Sequence, residues 1–184
     1  MNSLSKYYST FSSYFFLLVL SKSWGTISLA IIGKKAFQGC VDLESIEFSD
    51  DSQLTLVQTY AFFKCFKIKK ISFPSSVEYV ASLSFCNCPN LKEISFAKDS
   101  KPEIIDCDTF TYCSIESLWI PSSVEAIKKD AFKGCADLGI IEIPENSKLK
   151  EIDLGIFKWM RDMNFGFRSK PFIIKYWFRK KNKS

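Results

Sequence analysis

The chain has 184 residues, the size of one domain, with 47% apolar and 24% charged residues; this excludes a disordered tail and a multi-pass membrane protein. Histidine is absent, which removes any Ser–His or Cys–His catalytic pair and any His-ligated zinc. The formal charge of +5 averages two unlike parts, +7 over residues 161–184 and −2 over residues 1–160, so the body lacks the basic footprint of a nucleic-acid binder.

Residues 1–28 hold an apolar run, Tyr14 to Leu20, preceded by Lys6 and followed by Ser21-Lys22-Ser23-Trp24. The run has the outline of a minimal signal peptide and falls far below the roughly 20 residues of a membrane span. Its alternatives are a degenerate first repeat or an apolar cap.

From residue 29 to residue 160 the chain repeats itself. Ala36-Phe37-Gln38-Gly39-Cys40 recurs as Ala61-Phe62-Phe63-Lys64-Cys65, Ser84-Phe85-Cys86-Asn87-Cys88, Thr109-Phe110-Thr111-Tyr112-Cys113 and Ala131-Phe132-Lys133-Gly134-Cys135, at intervals of 25, 23, 25 and 22 residues. A decayed sixth copy, Ile156 to Met160, carries Met in the Cys slot. Each copy runs into an apolar pattern: Leu43-x-x-Ile46-x-Phe48, Ile68-x-x-Ile71-x-Phe73, Leu91-x-x-Ile94-x-Phe96, Ile115-x-x-Leu118-x-Ile120 and Leu138-x-x-Ile141-x-Ile143. The alternation at its end predicts a strand with one buried face. The fourth copy is one residue short between Cys113 and Ile115. A turn follows, begun by Pro74, Pro121 or Pro144, where a residue without an N–H sits naturally past a strand end. Then come apolar pairs three apart, Leu54/Val57, Val77/Val80 and Val124/Ile127, and the Ala-Phe-x-x-Cys segment, predicted as a helical or 3₁₀ turn.

A unit this short buries its Leu, Ile and Phe only by stacking on others, so the repeat predicts a solenoid with ladders of equivalent side chains. The expected fold is an α/β repeat solenoid of five to six coils, with one parallel β-sheet and short helical or 3₁₀ turns opposite. At about 4.8 Å per coil it makes a block about 25 Å long.

The unit resembles the BspA-like class of leucine-rich repeat, found in surface proteins of bacteria and protozoa. Ile120-Pro121-Ser122-Ser123-Val124-x-x-Ile127-x-x-x-Ala131-Phe132-x-x-Cys135 carries the likeness almost position for position. The resemblance implies a surface for adhesion or protein recognition, a cell-surface or secreted location, and no enzymatic activity, cofactor or catalytic residue.

Five of the seven cysteines, Cys40, Cys65, Cys88, Cys113 and Cys135, share one slot and read as a packing ladder of small hydrophobes. Cys86 and Cys107 fall outside it; a disulfide between these neighbouring coils is an alternative that sequence leaves open. Cys86-x-Cys88 lacks the two-residue spacer of a zinc site. No GxGxxG or P-loop is present, and Asp50/Asp51 and Asp106/Asp108 read as solvated turn acids.

The residue between the last two apolar positions of each strand points outward. That row is Glu47, Ser72, Ser95, Trp119 and Glu142, and the row two residues earlier is Ser45, Lys70, Glu93, Ser117 and Ile140. Trp119 and Ile140 interrupt an otherwise polar face. Trp119, Ile140, Glu142, Ser117, Ser95 and Glu93 are therefore the candidate protein-binding residues, with Trp119 as an anchor and polar neighbours as its rim. Packing of Trp119 under a loop or the tail is the alternative.

Residues 161–184 form a basic, aromatic tail: Phe172-Ile173-Ile174 and Tyr176-Trp177-Phe178 interleave with Lys and Arg. It suits an anionic membrane or single-stranded nucleic acid, or is simply a divergent terminal coil with a solvated end. The expected partner is a protein and no nucleic acid is expected. An intracellular scaffold with reduced cysteines, in the cytoplasm, and a nonfunctional fragment of a longer array are the alternatives to a surface adhesion protein.

Overall fold

The computed structural model describes residues 30–49, 51–152 and 173–175. The Tyr14–Leu20 run, Asp50, the sixth copy at 156–160 and the tail apart from 173–175 lie outside the described residues. The described residues form twelve short strands in chain order: β1 (Ile31–Ile32), β2 (Ser45–Ile46), β3 (Leu56–Val57), β4 (Lys70–Phe73), β5 (Tyr79–Val80), β6 (Glu93–Phe96), β7 (Ile104–Ile105), β8 (Ser117–Trp119), β9 (Ala126–Ile127), β10 (Ile140–Glu142), β11 (Glu151–Ile152) and β12 (Ile173–Lys175).

The chain winds as a parallel solenoid, each coil giving a strand to two opposite sides. The apolar pairs three apart supply a six-stranded sheet, β1-β3-β5-β7-β9-β11. The L-x-x-I-x-F segments supply five strands of the other side, which with β12 from the C-terminal segment form two three-stranded sheets, β2-β4-β6 and β8-β10-β12. The single sheet expected from sequence is thus interrupted between β6 and β8. The interruption falls where the fourth copy lacks a residue after Cys113. The stack continues through it, since the N–H of Glu116 meets the carbonyl of Lys92 at 3.5 Å and that of Gly139 meets Glu116 at 3.0 Å. Ile115, Leu118 and Ile120 stay buried.

The expected helical or 3₁₀ turns are, among the described residues, chained β-turns. The N–H of Ala36, Gln38 and Cys40 bonds three residues back, to Gly33, Lys35 and Phe37. The alternate donors leave the coil: Phe37 bonds Ala61 at 2.7 Å and Gly39 bonds Phe63 at 2.8 Å. A helix needs every N–H for itself, whereas here half of them tie one coil to the next. The turns also require left-handed residues two before and two after the repeat Phe, for example Tyr60 (φ 61°) and Lys64 (φ 61°) around Phe62. Such residues end a helix after one turn.

The core between the two sides is a set of ladders. Phe37, Phe62, Phe85, Phe110 and Phe132 are buried and stack with ring centroids 4.8 to 5.7 Å apart. A second ladder pairs Phe73 with Phe96 at 4.9 Å, and Phe73 meets Phe85 edge-on at 5.8 Å. Such aromatic pairs add about 0.5–1.5 kcal/mol each to the burial itself. The Cys slot stacks beside them, and its thiols do more than fill space. Cys65, Cys88, Cys113 and Cys135 each donate to the carbonyl of the repeat Phe one coil back (Phe37, Phe62, Phe85 and Phe110) at 3.1 to 3.2 Å.

The prolines act as their positions predict. Pro74, Pro121 and Pro144 accept from the N–H three residues on, closing the turn after each strand. Ser76 and Ser123 then reach back across the coil boundary, Ser76 Oγ donating to the carbonyls of Ser52 and Leu54 and Ser123 Oγ to that of Pro102, each at 2.8 Å.

Candidate surface on the two three-stranded sheets

The alternation of each strand sets which residues face solvent. β4 and β6 each read exposed, buried, exposed, buried, and β8 reads exposed, buried, exposed with Leu118 inside. Trp119 keeps 37% of its surface accessible. Parallel register places Glu142 beside Trp119 and Ile140 beside Ser117. On the far side, Ile173 pairs with Ile140 and Lys175 with Glu142. Trp119, Ser117, Ile140 and Glu142 are therefore one cluster on β8 and β10, with Ile140 and Glu142 half-buried and Ser117 exposed.

Glu93 and Ser95 face the same way but belong to the neighbouring sheet and are engaged with β4. Glu93 forms a salt bridge with Lys70 at 3.3 Å and Ser95 Oγ donates to Ser72 Oγ at 2.9 Å. Their strand, β6, lies next to β8 in the stack, across the interruption in the strand ladder. Along the flank, Lys67–Asp42 and Lys69–Glu44 pair at 2.8 Å and Lys92–Glu116 at 3.5 Å across successive coils. These pairs are exposed, so solvent screens them and they add little to stability.

The thiols offer little reactivity. All seven cysteines are free, Cys86 and Cys107 included. Burial pushes the Cys86 thiol up to about 11 and that of Cys135 up to about 12, and it raises Cys65 and Cys113 too. These groups are protonated near neutrality, and the thiol is a poor nucleophile. Among the described residues no group of three or more His, Cys, Asp and Glu is placed to hold a metal ion. Asp106, read from sequence as a solvated turn acid, is instead an acceptor: its carboxylate takes the Tyr79 hydroxyl and the N–H groups of Ser82 and Cys107.

A second outward row, on the six-stranded sheet, is not apparent from the strand alternation. Its signal lies in the apolar pairs three apart, which leave two consecutive residues facing out.

A family model described as BspA type leucine rich repeat region, in 6 copies, matches residues 10–102 and 103–182. Among solved structures the chain is similar to a leucine-rich repeat protein from T. pallidum, at 26% identity and a TM-score of 0.56, over 67% of this chain and 62% of that one. It is also similar in fold to a leucine-rich repeat protein from Bacteroides ovatus, at 23% identity and a TM-score of 0.51, over 68% of this chain and 41% of that one. The chain thus covers less than two thirds of either structure. No protein of curated function matches it.

Proposed function

The chain belongs to the BspA-type leucine-rich-repeat family, and from that premise we propose that it is a non-catalytic recognition module at the cell surface, of the adhesion type. It binds other proteins through the outward face of β8 and β10. Trp119 is the anchor; Ile140 extends the apolar contact; Ser117 and Glu142 form the rim, with Glu93 and Ser95 as its outer margin. The observation that carries this reading is the exposed Trp119 on β8, one strand from the half-buried Ile140 on β10, where the equivalent positions on β2, β4 and β6 are polar or charged. Interface anchors are typically such aromatics, with affinity concentrated in a few desolvated groups. A rigid stack presents them without loss of conformational freedom on binding.

Surface location rests on the family likeness and on the apolar Tyr14–Leu20 run. The seven free thiols favour a second reading, an intracellular scaffold, because unpaired cysteines persist in reducing compartments. The test is to label intact, unpermeabilised cells of the source organism with an antibody to the repeat region. Labelling of intact cells is expected. Signal only after permeabilisation would overturn the surface reading in favour of the scaffold.

A further inference from the structure

The six-stranded sheet carries a second outward surface of different chemistry. Its inward residues stand three apart (Leu54/Val57, Val77/Val80, Val124/Ile127) and are buried, and the two residues between them face out in Thr55-Leu56 and Glu78-Tyr79; Glu103-Ile104 occupies the same place between buried Pro102 and Ile105. In the next coil Glu125 is half-buried and Ala126 is buried. Parallel register stacks Ile31, Leu56, Tyr79 and Ile104 into one row across four coils, ending at Ala126. At about 4.8 Å per strand the row is about 14 Å long. Ile31 is 47% and Tyr79 36% exposed, while Leu56 and Ile104 are half-buried. The Tyr79 hydroxyl donates to Asp106 Oδ2 at 2.5 Å, which fixes the ring in the row.

Beside this apolar row runs a second one: Thr55, Glu78, Glu103 and Glu125. Glu125 pairs with Lys150 at 2.8 Å, but Glu78 and Glu103 are exposed and form no salt bridge with a described residue. Other coil-to-coil charge contacts join opposite signs, as in Glu44–Lys69, Lys70–Glu93 and Lys128–Glu151. Like charges on adjacent strands are unfavourable, and Glu78 and Glu103 are adjacent in the register. A cationic partner removes that repulsion and covers the apolar row in the same event.

We propose that this face docks an extended segment of a partner protein in which apolar side chains are interspersed with lysine or arginine. A row of about 14 Å matches about four extended residues. Side chains two apart on an extended segment share its surface-facing side; there the apolar ones lie along Ile31, Leu56, Tyr79 and Ile104, and the long basic ones reach over to Glu78 and Glu103. The surface is separate from the β8–β10 face and does not depend on it.

The test uses the full chain and a fluorescein-labelled peptide of about seven residues in which leucine and lysine take turns at every second position with serine between them, read by anisotropy against the same peptide with glutamate in place of lysine. The lysine peptide is expected to bind the parent. Glu78→Lys/Glu103→Lys, both exposed positions, and Ile31→Ser are each expected to weaken it about tenfold or more with unchanged circular dichroism, while Trp119→Ala leaves it unchanged. Equal binding of the glutamate peptide, no binding of the lysine peptide, or indifference to the charge reversal would overturn the proposal. So would a dimer of the parent chain that Ile31→Ser dissociates in sedimentation velocity, because a second copy would then be the occupant.

Discussion

Ser84 occupies the slot that holds Ala36, Ala61 and Ala131 in other coils, and its hydroxyl is buried without a hydrogen-bond partner. Thr109, in the same slot, avoids that cost because its hydroxyl donates to the carbonyl of Asp106 at 2.8 Å. Ser84→Ala restores the repeat residue and removes an unsatisfied polar atom, so it is expected to stabilise the fold by about 1 kcal/mol, measured by urea unfolding; no gain would mean that the hydroxyl is satisfied in solution. The Cys slot shows how far a residue can be read from sequence. Its size and apolar character were legible from the repetition of Cys40, Cys65, Cys88, Cys113 and Cys135. The donation from each thiol to a Phe carbonyl was not, because the acceptor lies 25 to 28 residues away in the chain. Asp106 was misread for the same reason, two of its donors, Tyr79 and Ser82, lying 27 and 24 residues upstream.

The element that departs most from its sequence signature is the Ala-Phe-x-x-Cys turn. Its short apolar spacing suits one helical turn, but alternate N–H groups go to the next coil, and the positions flanking each Phe are left-handed. Glycine fills the later of these positions at Gly39 and Gly134, whereas Lys64, Asn87 and Tyr112 occupy it elsewhere. Gly134 has a second constraint, since a Cβ there would overlap the ring of Tyr112. Gly134→Ala is therefore expected to destabilise, by about 1–2 kcal/mol from the backbone and further from the displaced ring. Lys64→Gly, at φ 61°, is expected to shift stability by about 1 kcal/mol in the opposite direction. Thermal melts of both variants check the pair, and equal shifts of one sign would refute the backbone argument. The strands were more legible, because their two-residue alternation records the buried face directly. The interruption between β6 and β8 has its trace in the short spacing after Cys113, but a one-residue deletion alone does not say whether a ladder bends or breaks.

At the scale of the molecule, repetition made the solenoid legible before any single motif did. Each coil buries its Phe, Ile and Leu only against its neighbours, and stability is a sum over such contacts. What repetition hides is the difference between coils, and difference is where a binding surface arises. Trp119 and Ile140 stand out against equivalent positions filled by Glu47, Ser72, Ser45 and Lys70. The structure puts the first two on adjacent strands, β8 and β10, while Glu93 and Ser95 fall on the neighbouring sheet. The apolar row beside Glu78 and Glu103 is not legible in the sequence, because the repeated pairs three apart mark only the inward residues and register alone aligns the outward ones.

The most direct measurement is competition. Cells of the source organism attaching to a surface coated with extracellular-matrix protein are challenged with purified chain, either parent or Trp119→Ala. The parent is predicted to block attachment, and Trp119→Ala to require about thirtyfold more protein, the loss of about 2 kcal/mol expected of a central anchor. Equal potency of the two chains, or no inhibition by the parent, would contradict a recognition surface on β8 and β10.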